Sequence, residues 1–98
     1  MTIEKVINGS TCVFKICGML DTETAPELEA LLDSGLTGID DLVLDFEEVE
    51  YVSSAGLRVI LKAQKMMNAA GKMKVVHVNE SIMEIFEITG FTGILNIE

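Results

Sequence analysis

Leu42-Val43-Leu44-Asp45-Phe46, followed closely by Tyr51-Val52-Ser53-Ser54-Ala55-Gly56-Leu57, is the stretch on which the fold turns. A short apolar run bounded by acids predicts a parallel strand buried on both faces. After it, two adjacent hydroxyls precede a segment with helical periodicity from about Ala55 to Ala70. Leu57, Ile60, Leu61 and Met67 form an inward stripe, widened by Val59, Ala63, Met66 and Ala70, while Arg58, Lys62 and Lys65 point outward. The serines therefore stand at a helix mouth. Backbone N–H groups there lack intrahelical partners and carry partial positive charge, so a hydroxyl or a phosphate is well accommodated.

Working outward, Gly71 is the natural stop of this helix. Lys74 to Val78 reads as a strand with His77 inside it, and Asn79 as the N-cap of a third helix. That helix buries Ile82, Met83, Ile85 and Phe86 and ends at Gly90, and Ile94 to Ile97 reads as a terminal edge strand. Toward the N-terminus, Ile3 to Ile7 and Cys12 to Cys17 form two antiparallel strands across the turn pair Asn8-Gly9. Gly18-Met19-Leu20-Asp21 leaves the second strand. Thr24-Ala25-Pro26-Glu27 has capping-box spacing. The helix it opens ends near Gly35, with Ala25, Leu28, Leu31 and Leu32 on one face and Glu23, Glu27, Glu29 and Asp33 on the other. The resulting order, β-β-α-β-α-β-α-β, predicts an α/β fold in which a mixed sheet is flanked by helices. Ser53 and Ser54 then fall at the C-terminal edge of the strands, where open α/β sheets meet ligands and partners.

The chain has 98 residues, 49% hydrophobic and 23% charged with one proline, which bounds it to one folded domain over 1–98. No apolar run has the length of a membrane helix, and Met1-Thr2-Ile3-Glu4-Lys5 lacks the order of a signal peptide, so a cytoplasmic protein is expected. Seven basic against 16 acidic residues give a net charge of −9, which disfavours nucleic acid and anionic membrane as partners. Five of the basic residues, Arg58, Lys62, Lys65, Lys72 and Lys74, cluster within 58–74, as a solvated helix face or a docking surface.

The remaining chemistry is sparse. Cys12 and Cys17 on one strand face opposite sides and cannot pair, so both are expected as buried thiols. One histidine among valines offers neither a zinc ligand set nor a base for a nucleophilic serine, so no metal, no cofactor and no enzymatic activity are expected. Asp45 as a phosphoacceptor lacks the acidic cluster such a site needs. Ser54 is the best candidate for a phosphate switch, against the plain reading in which it only caps the helix. Either Ser53 or Ser54 could be the cap. Asp21 reads as a cap of the first helix ahead of a binding role. Gly56 reads as a point of close approach.

Leu44-Asp45-Phe46 with Val49-Glu50-Tyr51-Val52-Ser53-Ser54-Ala55-Gly56-Leu57-Arg58-Val59-Ile60-Leu61 resembles the signature of STAS domains, in particular bacterial anti-sigma-factor antagonists. Gly18-Met19-Leu20-Asp21 is similar to the turn before the family's first helix, and Ile85-Phe86-Glu87-Ile88-Thr89-Gly90-Phe91 to its last helix and turn. The resemblance implies a protein-binding switch. The unmodified antagonist captures an anti-sigma factor that is also a serine kinase and so frees a sigma factor; phosphorylation breaks the complex and a serine phosphatase restores it. Carried over through Gly56-Leu57, the acceptor is Ser54, with Ser53 second, and Asp21, Ser53, Ser54, Ala55, Gly56, Leu57 and Arg58 form the partner surface. The chain departs from the family pattern at Ser53, where Asp is common, and at Ala55, where Ser or Thr is common. A scaffold or signalling module of the same fold, and a phosphocarrier, are the alternative roles. With no transmembrane part or added domain in the sequence, a free-standing antagonist is the expected form.

Overall fold

The computed structural model describes all residues, 1–98. Strands β1 (Thr2–Asn8), β2 (Thr11–Leu20), β3 (Asp41–Val52) and β4 (Lys72–Val76) form one sheet in the order β1-β2-β3-β4. The first pair is antiparallel and the other two are parallel. Helices α1 (Ala25–Gly35), α2 (Ser54–Ala70) and α3 (Glu80–Ile88) follow β2, β3 and β4 in turn. The mixed α/β architecture and the element order through the third helix agree with the pattern of the sequence. The expected last strand shortens to one bridge, Val75 with Ile97, after a 3₁₀ turn at Phe91–Gly93.

The hairpin turn is centred on Gly9-Ser10, because Asn8 still pairs with Thr11. Only Gly9 has positive φ, +64°, and glycine at the first of two loop positions suits the right-handed twist of the strands. Fully buried positions alternate along β2 (Cys12, Phe14, Ile16) and β3 (Leu42, Leu44, Phe46), and continue on β4 at Met73 and Val75. Their neighbours Val13, Val43, Asp45 and Val76 are only half-buried. The helices thus cover one face of the sheet, and the expectation that β3 is buried on both faces is corrected: Asp45 and the three valines face the uncovered side.

β3 also runs six residues past the expected Phe46. Between Lys15 and Cys17 the partner strand advances from Asp45 to Glu48, and between Gly18 and Met19 it advances from Val49 to Tyr51. Each step inserts one extra residue in β3, a bulge that rotates the side-chain alternation. Buried residues consequently fall at Phe46, Val49 and Val52, three apart, a spacing that a period of two does not follow. In the same way β2 continues to Leu20 rather than ending at Cys17.

Twenty-three buried apolar residues make one contiguous core. Phe86 of α3 anchors one end, its ring 6.3 Å from Phe46 and 6.2 Å from Phe91. Lys62 ties α2 to α1 through Glu29 and Asp33, at 2.9 Å each. Of the predicted inward stripe on α2, Leu61 is half-buried and Ala70 exposed, while Gln64 is buried. Its amide reaches Asn68 at 2.8 Å. Gly71 ends the helix with its N–H on the Met67 carbonyl.

Candidate functional site

The site begins with a register. Leu20, the last residue of β2, pairs with Val52, the last residue of β3, so Asp21 and Ser53 leave the sheet side by side. The Ser53 N–H donates to the Leu20 carbonyl at 2.9 Å and closes this corner. Ser53 is the N-cap of α2: its backbone is extended, its carbonyl accepts from the Leu57 N–H at 2.9 Å, and its Oγ accepts from the Gly56 N–H at 3.3 Å. Ser54 is therefore the first helical residue, and it is exposed. Of the two assignments open in the sequence, the structure selects Ser53 as cap and frees the Ser54 hydroxyl.

Gly56 is where α2 touches the sheet. A Cβ there would lie 2.7 Å from the Leu20 carbonyl oxygen, 2.9 Å from Leu20 Cγ and 3.1 Å from Val52 Cγ1. Gly56 and Leu57 are buried, Ala55 is half-buried and Arg58 is exposed. The predicted site residues thus divide into Ser54 and Arg58 on the surface, and Gly56 and Leu57 that seat the helix. Arg58 lies four residues after Ser54, one turn along the same face. The first turn holds no acidic residue, so the partial positive charge of the helix start is unopposed within its own helix.

Asp21 organises the adjoining loop. Its Oδ1 accepts from the Glu23 and Thr24 N–H groups at 3.0 and 3.1 Å, and its carbonyl from the Ala25 N–H at 2.8 Å. The bond from the Thr24 N–H, opposed by desolvation and helped by the Thr24 hydroxyl, holds the Asp21 carboxyl below the usual carboxylate range. The predicted capping box at Thr24 does not form. Thr24 Oγ1 instead accepts from the Asp21 N–H at 2.9 Å and donates to the Met19 carbonyl at 2.7 Å; Asp21, expected as the cap, orders the turn that leads into α1, and no side chain caps the helix. Between α1 and α2, beside this corner, runs a groove of about 300 Å³ lined by Ala25, Glu29, Ala55, Arg58 and Lys62 among others.

Two neighbours escaped the sequence reading. Met19 and Tyr51 face each other in register one residue before Leu20 and Val52, and remain 48% and 45% exposed. They form an apolar step at the rim of the site. Their signal was present as large apolar side chains beside the inward Leu20 and Val52, but the bulges of β3 hid the alternation at Tyr51, and Met19 lies beyond the expected end of β2 at Cys17.

The other chemical groups lie elsewhere. His77, expected inside a strand, stands one residue beyond β4 with φ +58°. It is exposed and paired with Asp45 across 2.9 Å, and no hydrogen bond joins it to Ser53 or Ser54. The hydrogen bond to Asp45 raises its pKa above the ordinary histidine value. Cys12 is buried, with a thiol pKa pushed up by desolvation, whereas Cys17 is exposed, contrary to the expectation of two buried thiols. No helix is long and apolar enough to cross a membrane.

The comparisons agree with this geometry. The family model described as STAS domain matches residues 2–98. The anti-sigma-B factor antagonist of Staphylococcus aureus is 30% identical over 99 residues, covering 99% of this chain and 92% of that protein. BtrV of Bordetella bronchiseptica is 34% identical over 82 residues, covering 82% of this chain and 71% of its own length. Among solved structures, an anti-sigma factor antagonist from Mycobacterium paratuberculosis superposes with a TM-score of 0.87 at 22% identity, over 98% of this chain and 83% of that one. SpoIIAA of Bacillus in its phosphorylated form gives 0.77 at 16% identity, over 99% and 91%. Matched by the family model over residues 2–98 and by a relative 30% identical along nearly its whole length, the chain belongs to the STAS domain family.

Proposed function

We propose that this STAS domain, as one unit over residues 1–98 in the cytoplasm, is an anti-sigma factor antagonist switched by phosphorylation of Ser54. In the unmodified state it binds an anti-sigma factor that is also a serine kinase, and a sigma factor is released. The kinase phosphorylates Ser54 and the complex dissociates; a serine phosphatase resets the switch. The reading rests on family membership, on the name of the Staphylococcus aureus relative, and above all on one observation: Ser54 is exposed at the first position of α2 while Ser53 does the capping.

The partner surface comprises Asp21, Ser53, Ser54, Ala55 and Arg58, held in place by the buried Gly56 and Leu57 beneath it and extended by the apolar rim of Met19 and Tyr51. Phosphorylation adds about −1.5 to −2 charge. The start of α2 and Arg58 accommodate it within the domain, so the fold persists. An interface packed against Met19 and Tyr51 has to neutralise or expel the same charge, next to the exposed Glu50. Binding therefore weakens far more than stability. That a neighbour of this fold, SpoIIAA, exists in unphosphorylated and phosphorylated forms accords with a domain that tolerates the modification.

The test pairs phosphosite mapping with calorimetry, using the kinase that co-purifies with the chain from its host. Mass spectrometry is expected to place the phosphate on Ser54. Ser54→Ala should bind the kinase like the unmodified protein, and Ser54→Asp at least tenfold more weakly, about 1.4 kcal/mol. Phosphate on another residue, or an unchanged affinity of Ser54→Asp, overturns the mechanism. Onward transfer of the phosphate to an acceptor would favour a phosphocarrier instead.

A further inference from the structure

The uncovered face of the sheet carries a second cluster that the switch does not use. β4 ends at Val76, which pairs with Asp45 of β3. His77 then takes a left-handed backbone, φ +58°, a region that few residues other than glycine adopt, though histidine does so more readily than most. The turn brings His77 Nδ1 to 2.9 Å from Asp45 Oδ1. The same Oδ1 accepts from the Glu47 N–H at 3.1 Å, which fixes the carboxylate and starts the bulge that carries the Glu47 side chain alongside. Asp45, Glu47 and His77 each offer one donor atom, all within 4.8 Å of one another. The Asp45 side chain is 13% exposed and that of His77 59%, so the cluster has a sheltered floor and an open mouth.

We propose that Asp45, Glu47 and His77 form a binding site for a borderline divalent transition-metal ion, with Zn²⁺ as the reference member. Metal–ligand bonds of about 2.0–2.2 Å at near-tetrahedral or octahedral angles place donor atoms about 3 to 4 Å apart. The His77–Asp45 pair already stands near that spacing, and rotation of the exposed Glu47 side chain closes the third edge. One imidazole and two carboxylates suit Zn²⁺, Ni²⁺ or Co²⁺; Mg²⁺ and Ca²⁺ prefer all-oxygen sets, and no thiolate is present to select Cu(I). Water fills the remaining positions. The net charge of −9 favours a cation, while Lys15, across from Asp45 on β2, tempers the affinity. A bound ion would clamp the end of β4 to the middle of β3 and fix the connection leading into α3.

The experiment is titration of the tag-free chain with Zn²⁺ by calorimetry, repeated with Mg²⁺ as competitor. One equivalent of Zn²⁺ is expected to bind, undisturbed by millimolar Mg²⁺. His77→Gly, which retains the left-handed backbone, and Glu47→Gln should each weaken Zn²⁺ binding at least ~10-fold, with circular dichroism confirming that both remain folded. Cys17→Ser should leave it unchanged, since this exposed thiol lies outside the set. Absence of binding, displacement by Mg²⁺, affinities of the two variants within tenfold of the parent, or dependence on Cys17 overturns the site.

Discussion

At the scale of single residues, the two adjacent serines have different work. Ser53 Oγ bonds the Gly56 N–H, so Ser53→Ala should lower stability by about 1 kcal/mol, the usual worth of such a cap, measured by urea unfolding. The same change leaves Ser54 at the first helical position, so, under the proposed switch, phosphosite mapping of the variant should still find the phosphate on Ser54. Asp21 makes a pH prediction. Its carboxyl is held below the ordinary value by the Thr24 N–H, so the native pKa lies under the unfolded value of about 3.9. A group of this kind contributes stability above its unfolded pKa and loses it as pH falls through the native one. The Asp21 carboxyl carbon should titrate with a midpoint below 3.9, and Asp21→Asn should flatten the acid limb of stability against pH. A midpoint at or above 3.9 would contradict the hydrogen-bond geometry.

Between elements, the decisive contact is that of α2 with the end of β2. Gly56 sits against the Leu20 carbonyl oxygen and the Leu20 and Val52 side chains, at distances a Cβ cannot share. Gly56→Ala should cost about 1–3 kcal/mol, as overpacking does, because the helix start must lift off the strand. Chemical denaturation gives the magnitude. Lifting the helix also displaces Ser54 relative to Met19 and Tyr51, so partner affinity should fall together with stability. Loss of stability without loss of affinity would show that the corner does not set the docking surface.

For the whole molecule, charge distribution governs association. Twelve acids and two bases in residues 1–57 leave the segment that carries the exposed Ser54 strongly negative, while five bases lie within 58–74. Under the proposed function, a partner that meets this surface should bring basic groups, and electrostatic steering would then speed the encounter. The association rate should fall as ionic strength rises from about 0.01 to 0.15 M, where screening shortens from about 30 to 8 Å. Stopped-flow mixing with the proposed kinase partner measures this dependence. A rate indifferent to salt would place the acidic surface away from the encounter.

The sequence by itself determined what lies within a few residues: the order of strands and helices through α3, the Asn79 cap, the Gly71 stop, and serines at the mouth of the second helix. Hydrophobic period, capping and turn chemistry act over one or two turns of chain and can be read without partners. Only the tertiary structure decided which serine caps, which face of the sheet stays uncovered, and that Asp21 stands beside Ser53 and Asp45 beside His77, 32 residues away. Those placements follow from strand register and from two bulges in β3. A bulge shifts every residue beyond it by one position, and no local pattern announces where the partner strand will absorb that shift.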